Sequence, residues 1–201
     1  KVLITPPLTT HVHDLKLHLE LFGSPQESRI NLALPVGHNI LYKVPLLYYP
    51  STTAYPSQVS RGGLEYLRSK YYPLCDTYPS HTKLYLQRPK GDGRIVVNEE
   101  RVVSFLKSKG FTMVDGTEGL KEHIRLFRNA RVIIGMHGSL FRNQIFSDKN
   151  PRVYEFCPHN REDHNFEGIG KTMGVDYKWI KTEADDNHNI KINIDKYLRD
   201  L

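Results

Sequence analysis

The 201-residue chain has only two cysteines, Cys75 and Cys157, and no set of cysteines and histidines at zinc spacing. A disulfide framework and a zinc module are both excluded. The scarcity of cysteine points to a reducing compartment, so the expected location is cytoplasmic; the alternative is the lumen of the secretory pathway, if an amino-terminal anchor precedes the chain. No apolar run approaches the roughly 20 residues of a membrane span, and the amino terminus does not read as a signal peptide. Internal repeats and low-complexity stretches are absent, which excludes a solenoid or a disordered array. Nor is positive charge gathered into a tail; it is spread across the predicted helices.

What is present describes a folded domain. Apolar residues make up 39% and charged residues 25% of the chain, proportions of a globular protein. The length suits one large α/β domain or two small ones. A formal net charge of +6 favours anionic ligands such as phosphates, nucleotides or nucleic acid. The chain opens directly on the strand-like KVLIT, which predicts one domain of a longer polypeptide.

Short β-branched or apolar runs predict strands at 2–4, 30–34, 84–86, 111–114, 132–134, 152–156 and 177–180. The stretch 40–48 reads as an edge strand or two pieces, because Pro45 interrupts it. Helical spacing predicts helices at 15–22, 58–70 and 166–173, and a terminal one at 194–201. Two further helices follow from their caps: one starting at Asn98 with Val102, Val103 and Leu106 inward, one starting at Thr117 with Leu120, Ile124 and Phe127 inward. Strands alternating with helices imply a Rossmann-type, doubly wound, mostly parallel sheet. The aperiodic stretch 71–81 reads as a connection, giving a short α/β domain over 1–75 and a Rossmann-like domain over 76–201.

Four groups of residues could carry chemistry. The run RVIIGMHGSLFRNQIF at 131–146 combines a strand, a glycine-marked turn and a helix start. Free N–H groups and the helix dipole make such a junction an anion site. In it Gly138 admits a close approach, Ser139 is placed to cap the helix, His137 stands at the strand's end and Asn143 falls four residues after Ser139. Arg88 and Arg94 flank PKGDG just after a strand, and guanidinium groups make forked contacts to phosphate; the same loop alone also describes a solvated basic turn. Glu155, near a strand end in VYEFCP, is placed to accept from ribose hydroxyls or to join a salt bridge. His11, His13 and Asp14 precede a helix and could supply a general base, or simply form a polar loop.

Taken together these motifs resemble glycosyltransferase family sixty-one, which includes EGF-domain O-GlcNAc transferase, plant xylosyl- and arabinosyltransferases and capsule-type enzymes. The resemblance is carried by YLQRPKGDGRIVVNEERVVSFLKSKGFTMVD, LKEHIRLFRNARVIIGMHGS, NQIF and VYEFCP, in order over 83–158. It matches Arg88 and Arg94 to the family's arginine pair and Asn98 and Glu99 to its helix start. His137, Gly138, Ser139 and Asn143 match its turn, and Glu155 its strand-end carboxylate. Leu140, Phe141 and Arg142 replace the family's Gly-Leu-Thr, adding bulk and a cation, and His123 stands where Gln is usual.

The resemblance implies a GT-B-like, inverting transferase. It would move a sugar from a nucleotide-diphosphate donor, usually uridine-linked, to a hydroxyl of a glycan or glycoprotein. No metal or other cofactor is expected. Arg88, Arg94 and Arg142 with the Ser139 turn would neutralise the departing diphosphate; Asn98, His137, Gly138, Asn143 and Glu155 would complete the donor site, and His13, His11 or Asp14 would be the base. The alternative is a non-catalytic module that holds a nucleotide or nucleic acid.

Overall fold

The computed structural model describes residues 2–5, 32–35, 54–55, 58–75, 82–88, 91, 93–161 and 163–200. The chain divides into two compact units, residues 1–52 and 53–201. In the first, β1 (Val2–Thr5) and β2 (Leu32–Pro35) run parallel, with Val2 beside Leu32 and Thr5 beside Pro35. A parallel pair needs a crossover rather than a hairpin. The helix expected at 15–22, the stretch 40–48 and the candidate bases His11, His13 and Asp14 lie outside the described residues.

The second unit opens with β3 (Ala54–Tyr55) and β4 (Gln58–Val59), an antiparallel pair. Helix α1 (Arg61–Tyr71) follows, capped by Ser60, whose Oγ accepts from the Gly63 N–H at 3.2 Å. The sequence placed the start of this helix at Gln58; Ser60 supplies the N-terminal acceptor that a helix needs, and Gln58 and Val59 pair as strand instead. Its far end continues into a 3₁₀ turn (Tyr72–Leu74).

Five parallel strands form the main sheet. They are β5 (Thr82–Leu86), β6 (Phe111–Val114), β7 (Ala130–Met136), β8 (Arg152–Pro158) and β9 (Asp176–Thr182), in the order β6-β5-β7-β8-β9. Helices α2 (Glu99–Ser108), α3 (Leu120–Arg128), α4 (Asn165–Met173) and α5 (Ile194–Tyr197) and a 3₁₀ helix (Ser139–Phe146) connect or follow them. On one face Tyr85, Ile134, Met136 and Phe156 pack with Val102 and Leu106 of α2 and with Ile190, Ile192 and Leu198 of the closing segment. Strand side chains alternate, so the fully buried Leu84, Ile133 and Val153 turn to the opposite face, where α3 supplies Ile124 and Phe127 and the 3₁₀ helix Phe141. With both faces covered, the strands can be almost wholly apolar, which is how a parallel sheet is stabilised.

The chain leaves β5 towards β6 on one side and returns to β7 on the other. The loops that follow β5 and β7 therefore diverge, leaving a crevice at the carboxyl ends of these two strands, the switch point where doubly wound sheets bind ligands.

Several local expectations change. Thr117 does not cap α3; Gly119 holds that position. The Thr117 N–H and hydroxyl both donate to Asp115 Oδ1, at 3.0 and 2.7 Å, closing a turn after β6. Asn98 does sit at the start of α2 but makes no side-chain cap. The terminal helix is only four residues long, capped by Asn193 accepting from Lys196 N–H at 3.0 Å.

Candidate functional site

The crevice is built around the turn after β7. The His137 N–H donates to Phe156 O at 2.9 Å, continuing the β7–β8 ladder one step past the strand. The His137 carbonyl turns the other way, towards β5, and accepts from Arg88 Nη1 at 2.6 Å. Gly138 lies under that guanidinium: a Cβ there would stand 2.6 Å from Arg88 Nη1. Its φ is 179°, ordinary extended backbone, so glycine is required here for space and not for conformation. The close approach that the sequence assigned to a ligand is made by Arg88 itself.

The helix after the turn is 3₁₀, with Gly138 at its cap position and Ser139 as its first residue, so Ser139 is not a cap. This changes which residues are neighbours. A 3₁₀ helix has three residues per turn, and side chains at i and i+3 eclipse. Arg142, not Asn143, is therefore aligned with Ser139. Burial agrees: Ser139 and Arg142 are exposed, whereas Asn143 is half-buried. The rear of the same helix is gripped by the α1 region. Arg68 donates to the carbonyls of Ile145 and Ser147, and the Tyr72 hydroxyl donates to Phe146 O at 2.9 Å.

Behind the turn lies a buried polar cluster. Glu155, paired in register with Gly135, is the middle residue of β8 and fully buried. The sequence placed it near a strand end, to accept from ribose or to join a salt bridge; the strand runs on to Pro158, and both carboxylate oxygens are taken within the protein, one of them by His137. Oε1 accepts from His137 Nδ1–H at 2.7 Å, and Oε2 accepts from the Tyr177 hydroxyl at 2.7 Å. A buried carboxylate is tolerated only with such partners. The other imidazole nitrogen, Nε2, faces Asp163 Oδ2 at 3.3 Å, and the ring packs against Phe166 with centroids 5.1 Å apart. Asp163 is itself held: Oδ1 accepts from Asn165 N–H at 3.1 Å, and its carbonyl accepts from Trp179 Nε1–H at 3.2 Å. Burial, and then the adjacent Glu155 charge, push the Tyr177 phenol far above its usual range, so it stays a donor.

The remaining candidates separate from this cluster. Arg94 is half-buried in the stretch that leads to the bridge between Val96 and Ile190. The Asn98 side chain is committed to backbone: Nδ2 donates to Ile192 O at 2.9 Å and Oδ1 accepts from Ile192 N–H at 3.0 Å. Beside the crevice, the Glu118 carboxylate accepts from Asp115 and Gly116 N–H groups, both at 2.9 Å, and contacts His123 Nε2 at 2.9 Å. His123, which stands where the family usually has Gln, thus serves this turn. Among the described residues no group of three or more His, Cys, Asp or Glu could hold a metal ion.

Tyr177, Asp163 and Phe166 escaped the sequence reading. The available signal was Glu155 itself: an acid inside the apolar run VYEFC demands buried donors, which pattern alone does not name.

A doubly wound parallel sheet of five strands, with an arginine lying across a glycine turn at its switch point, defines a Rossmann-like fold. Comparison with known proteins takes this further: residues 5–154 match the family described as Glycosyltransferase 61, and the chain belongs to that family. It is also 28% identical over 110 residues to a beta-1,2-xylosyltransferase of Arabidopsis thaliana, a match covering 46% of this chain and 21% of the relative. The chain thus spans about a fifth of that relative's length.

Proposed function

We propose that this chain contains the donor-binding part of a GT-B-type glycosyltransferase that moves a sugar from a uridine-diphosphate donor to a hydroxyl of a glycan or glycoprotein. The observation that carries this reading is Arg88 laid across Gly138 onto the His137 carbonyl, at the switch point of the five-stranded sheet, where doubly wound folds bind nucleotides. Arg88 and the exposed Ser139–Arg142 edge would hold the diphosphate. Charged hydrogen bonds and a preorganised positive field stabilise the negative charge that builds on a departing diphosphate, so no bridging metal is required.

The reaction is written as a single displacement with inversion. The acceptor oxygen forms the new bond to the anomeric carbon, and the bond to the β-phosphate oxygen breaks with its electron pair going to the diphosphate. The acceptor proton passes to a base, for which His13, His11 and Asp14 are the candidates. The family membership and the xylosyltransferase likeness support sugar transfer as the activity.

Calorimetric titration with UDP, GDP and TDP, with and without EDTA, tests the reading. The expected result is preferential UDP binding unaffected by EDTA, with slow release of UDP from a UDP-sugar. Absence of binding by all three at millimolar ligand would overturn it. Binding without any turnover of donor, with acceptor glycans supplied, would favour a non-catalytic nucleotide module.

A further inference from the structure

We propose that Tyr177, acting through Glu155, is a positioning residue for His137: it holds the imidazole with Nδ1–H on the buried carboxylate and Nε2 turned to Asp163, and so sets the turn on which a diphosphate would rest. The inference rests on the nucleotide-sugar reading of the crevice.

The chain of contacts runs without a gap from β9 to β5. The Tyr177 hydroxyl donates to Glu155 Oε2, Glu155 Oε1 accepts from His137 Nδ1–H, and the His137 carbonyl accepts from Arg88. Each link constrains the next. Glu155 has no exposure, so its two oxygens must each find a donor within the protein, and each finds one. With Oε2 fixed by the phenol, the carboxylate plane is set, and Oε1 can meet the imidazole in only one orientation of the ring. The ring in turn is closed off by Phe166 on a face and by Asp163 at Nε2, leaving it 3% exposed. What His137 offers the crevice is therefore its backbone, which carries Arg88 and leads into Gly138.

Tyr177 is placed for this by α4. A Cβ on Gly170 would stand 2.4 Å from Tyr177 Cδ2, so the ring lies directly on the helix backbone. A glycine inside a helix is disfavoured; here it lets β9 and α4 come close enough for the hydroxyl to reach Glu155.

The test uses two variants of the full chain that disturb the phenol in different ways. Tyr177→Phe removes the hydroxyl and keeps the ring, while Gly170→Ala keeps the hydroxyl and displaces the ring. The readouts are the His137 Nδ1–H proton in NMR of protein labelled with ¹⁵N-histidine, assigned by its loss in His137→Gln, and affinity for inorganic pyrophosphate and UDP. The expected result is a downfield, slowly exchanging proton in the parent chain that shifts in both variants. Affinity for both ligands should fall roughly three- to tenfold in each, as for a contact coupled to the site through one intermediate. A proton unmoved in both variants overturns the proposal, as does a moved proton with unchanged affinity. A parent chain that binds neither ligand, yet shows the proton shifting in both variants, overturns the nucleotide reading while leaving the link from Tyr177 to His137 in place. Circular dichroism checks that each variant is folded, and either variant alone suffices for the NMR comparison.

Discussion

The two loops that flank the switch point are built on opposite principles. The turn after β7 is enclosed: His137 is 3% exposed and Glu155 behind it not at all, and every hydrogen-bonding atom of their side chains faces a partner. The loop after β5 is open. Gly91 and Gly93 are exposed and adopt φ of 90° and 74°, left-handed backbone that glycine alone enters without strain. Arg88 joins the two, through the His137 carbonyl. On the proposed reading such a site has a fixed floor and an adjustable rim, and Arg88 would bridge them by exchanging the His137 carbonyl for a ligand oxygen. The floor should therefore be where substitutions cost stability, and the bridge where they cost binding.

The sharpest way to break that contrast is Glu155→Ala. It leaves the His137 Nδ1–H and the Tyr177 hydroxyl buried without an acceptor, and each buried donor so stranded costs about 1–3 kcal/mol. Urea unfolding should show a loss of that size; a change under about 1 kcal/mol would mean the floor is not fixed by this cluster. Gly138→Ala should act on the bridge. The added carbon would meet Arg88 Nη1 at 2.6 Å and move the guanidinium off the His137 carbonyl. Since the far end of a half-exposed arginine can swing away, stability should change by less than about 1 kcal/mol, while UDP binding weakens by about 1.5–3 kcal/mol, the scale of a charged hydrogen bond. Calorimetry beside thermal unfolding separates the two, and equal losses in both would erase the distinction.

The smallest effect concerns the neighbouring turn. Burial alone would raise the Glu118 carboxyl, but the N–H groups of Asp115, Glu118 and Gly116 together with His123 outweigh it and hold the group below its ordinary 4.5. A carboxyl depressed in the folded state contributes stability that is fully present above its unfolded value and lost as pH falls through the folded one. Melting temperature should therefore decline as pH drops below about 4.5. A Glu118→Gln protein should start lower and lose less over the same range; parallel curves for the two proteins would remove Glu118 from the acid limb.

How much of this was legible in the sequence depended on the scale of the signal. The runs at 84–86 and 132–134 lie inside central strands, which must be apolar where both faces are covered, and few alternatives share that pattern; those at 111–114 and 177–180 lie in the edge strands β6 and β9, which carry exposed polar residues yet keep β-branched and aromatic ones. The caps were harder. Thr117 and Ser139 are good cap residues that are not caps, since the choice depends on where the backbone turns, by one or two residues. The 3₁₀ character after Gly138 was invisible for a related reason: Leu140, Phe141, Ile145 and Phe146 satisfy helical spacing either way. Within the site, His137 and Glu155 were singled out separately, but nothing in a separation of eighteen residues says that they face each other. The resemblance placed them in one motif; the pairing of β7 with β8 brought them into contact.

The closing segment adds a consequence for synthesis. Ile95 N–H donates to Asn189 Oδ1, Ile190 N–H donates to the Ile95 carbonyl, Val97 N–H donates to the Ile190 carbonyl, and Asn98 holds Ile192 through both ends of its amide. Residues 95–98 carry the end of the arginine loop, and the partners that fix them are made about ninety residues later. Contacts of such long sequence separation form late, because the intervening chain must first be ordered. On the ribosome, the segment 95–98 thus stays without these partners after strands β5 to β8 have emerged, and takes its final place only once residues 189–192 have been translated.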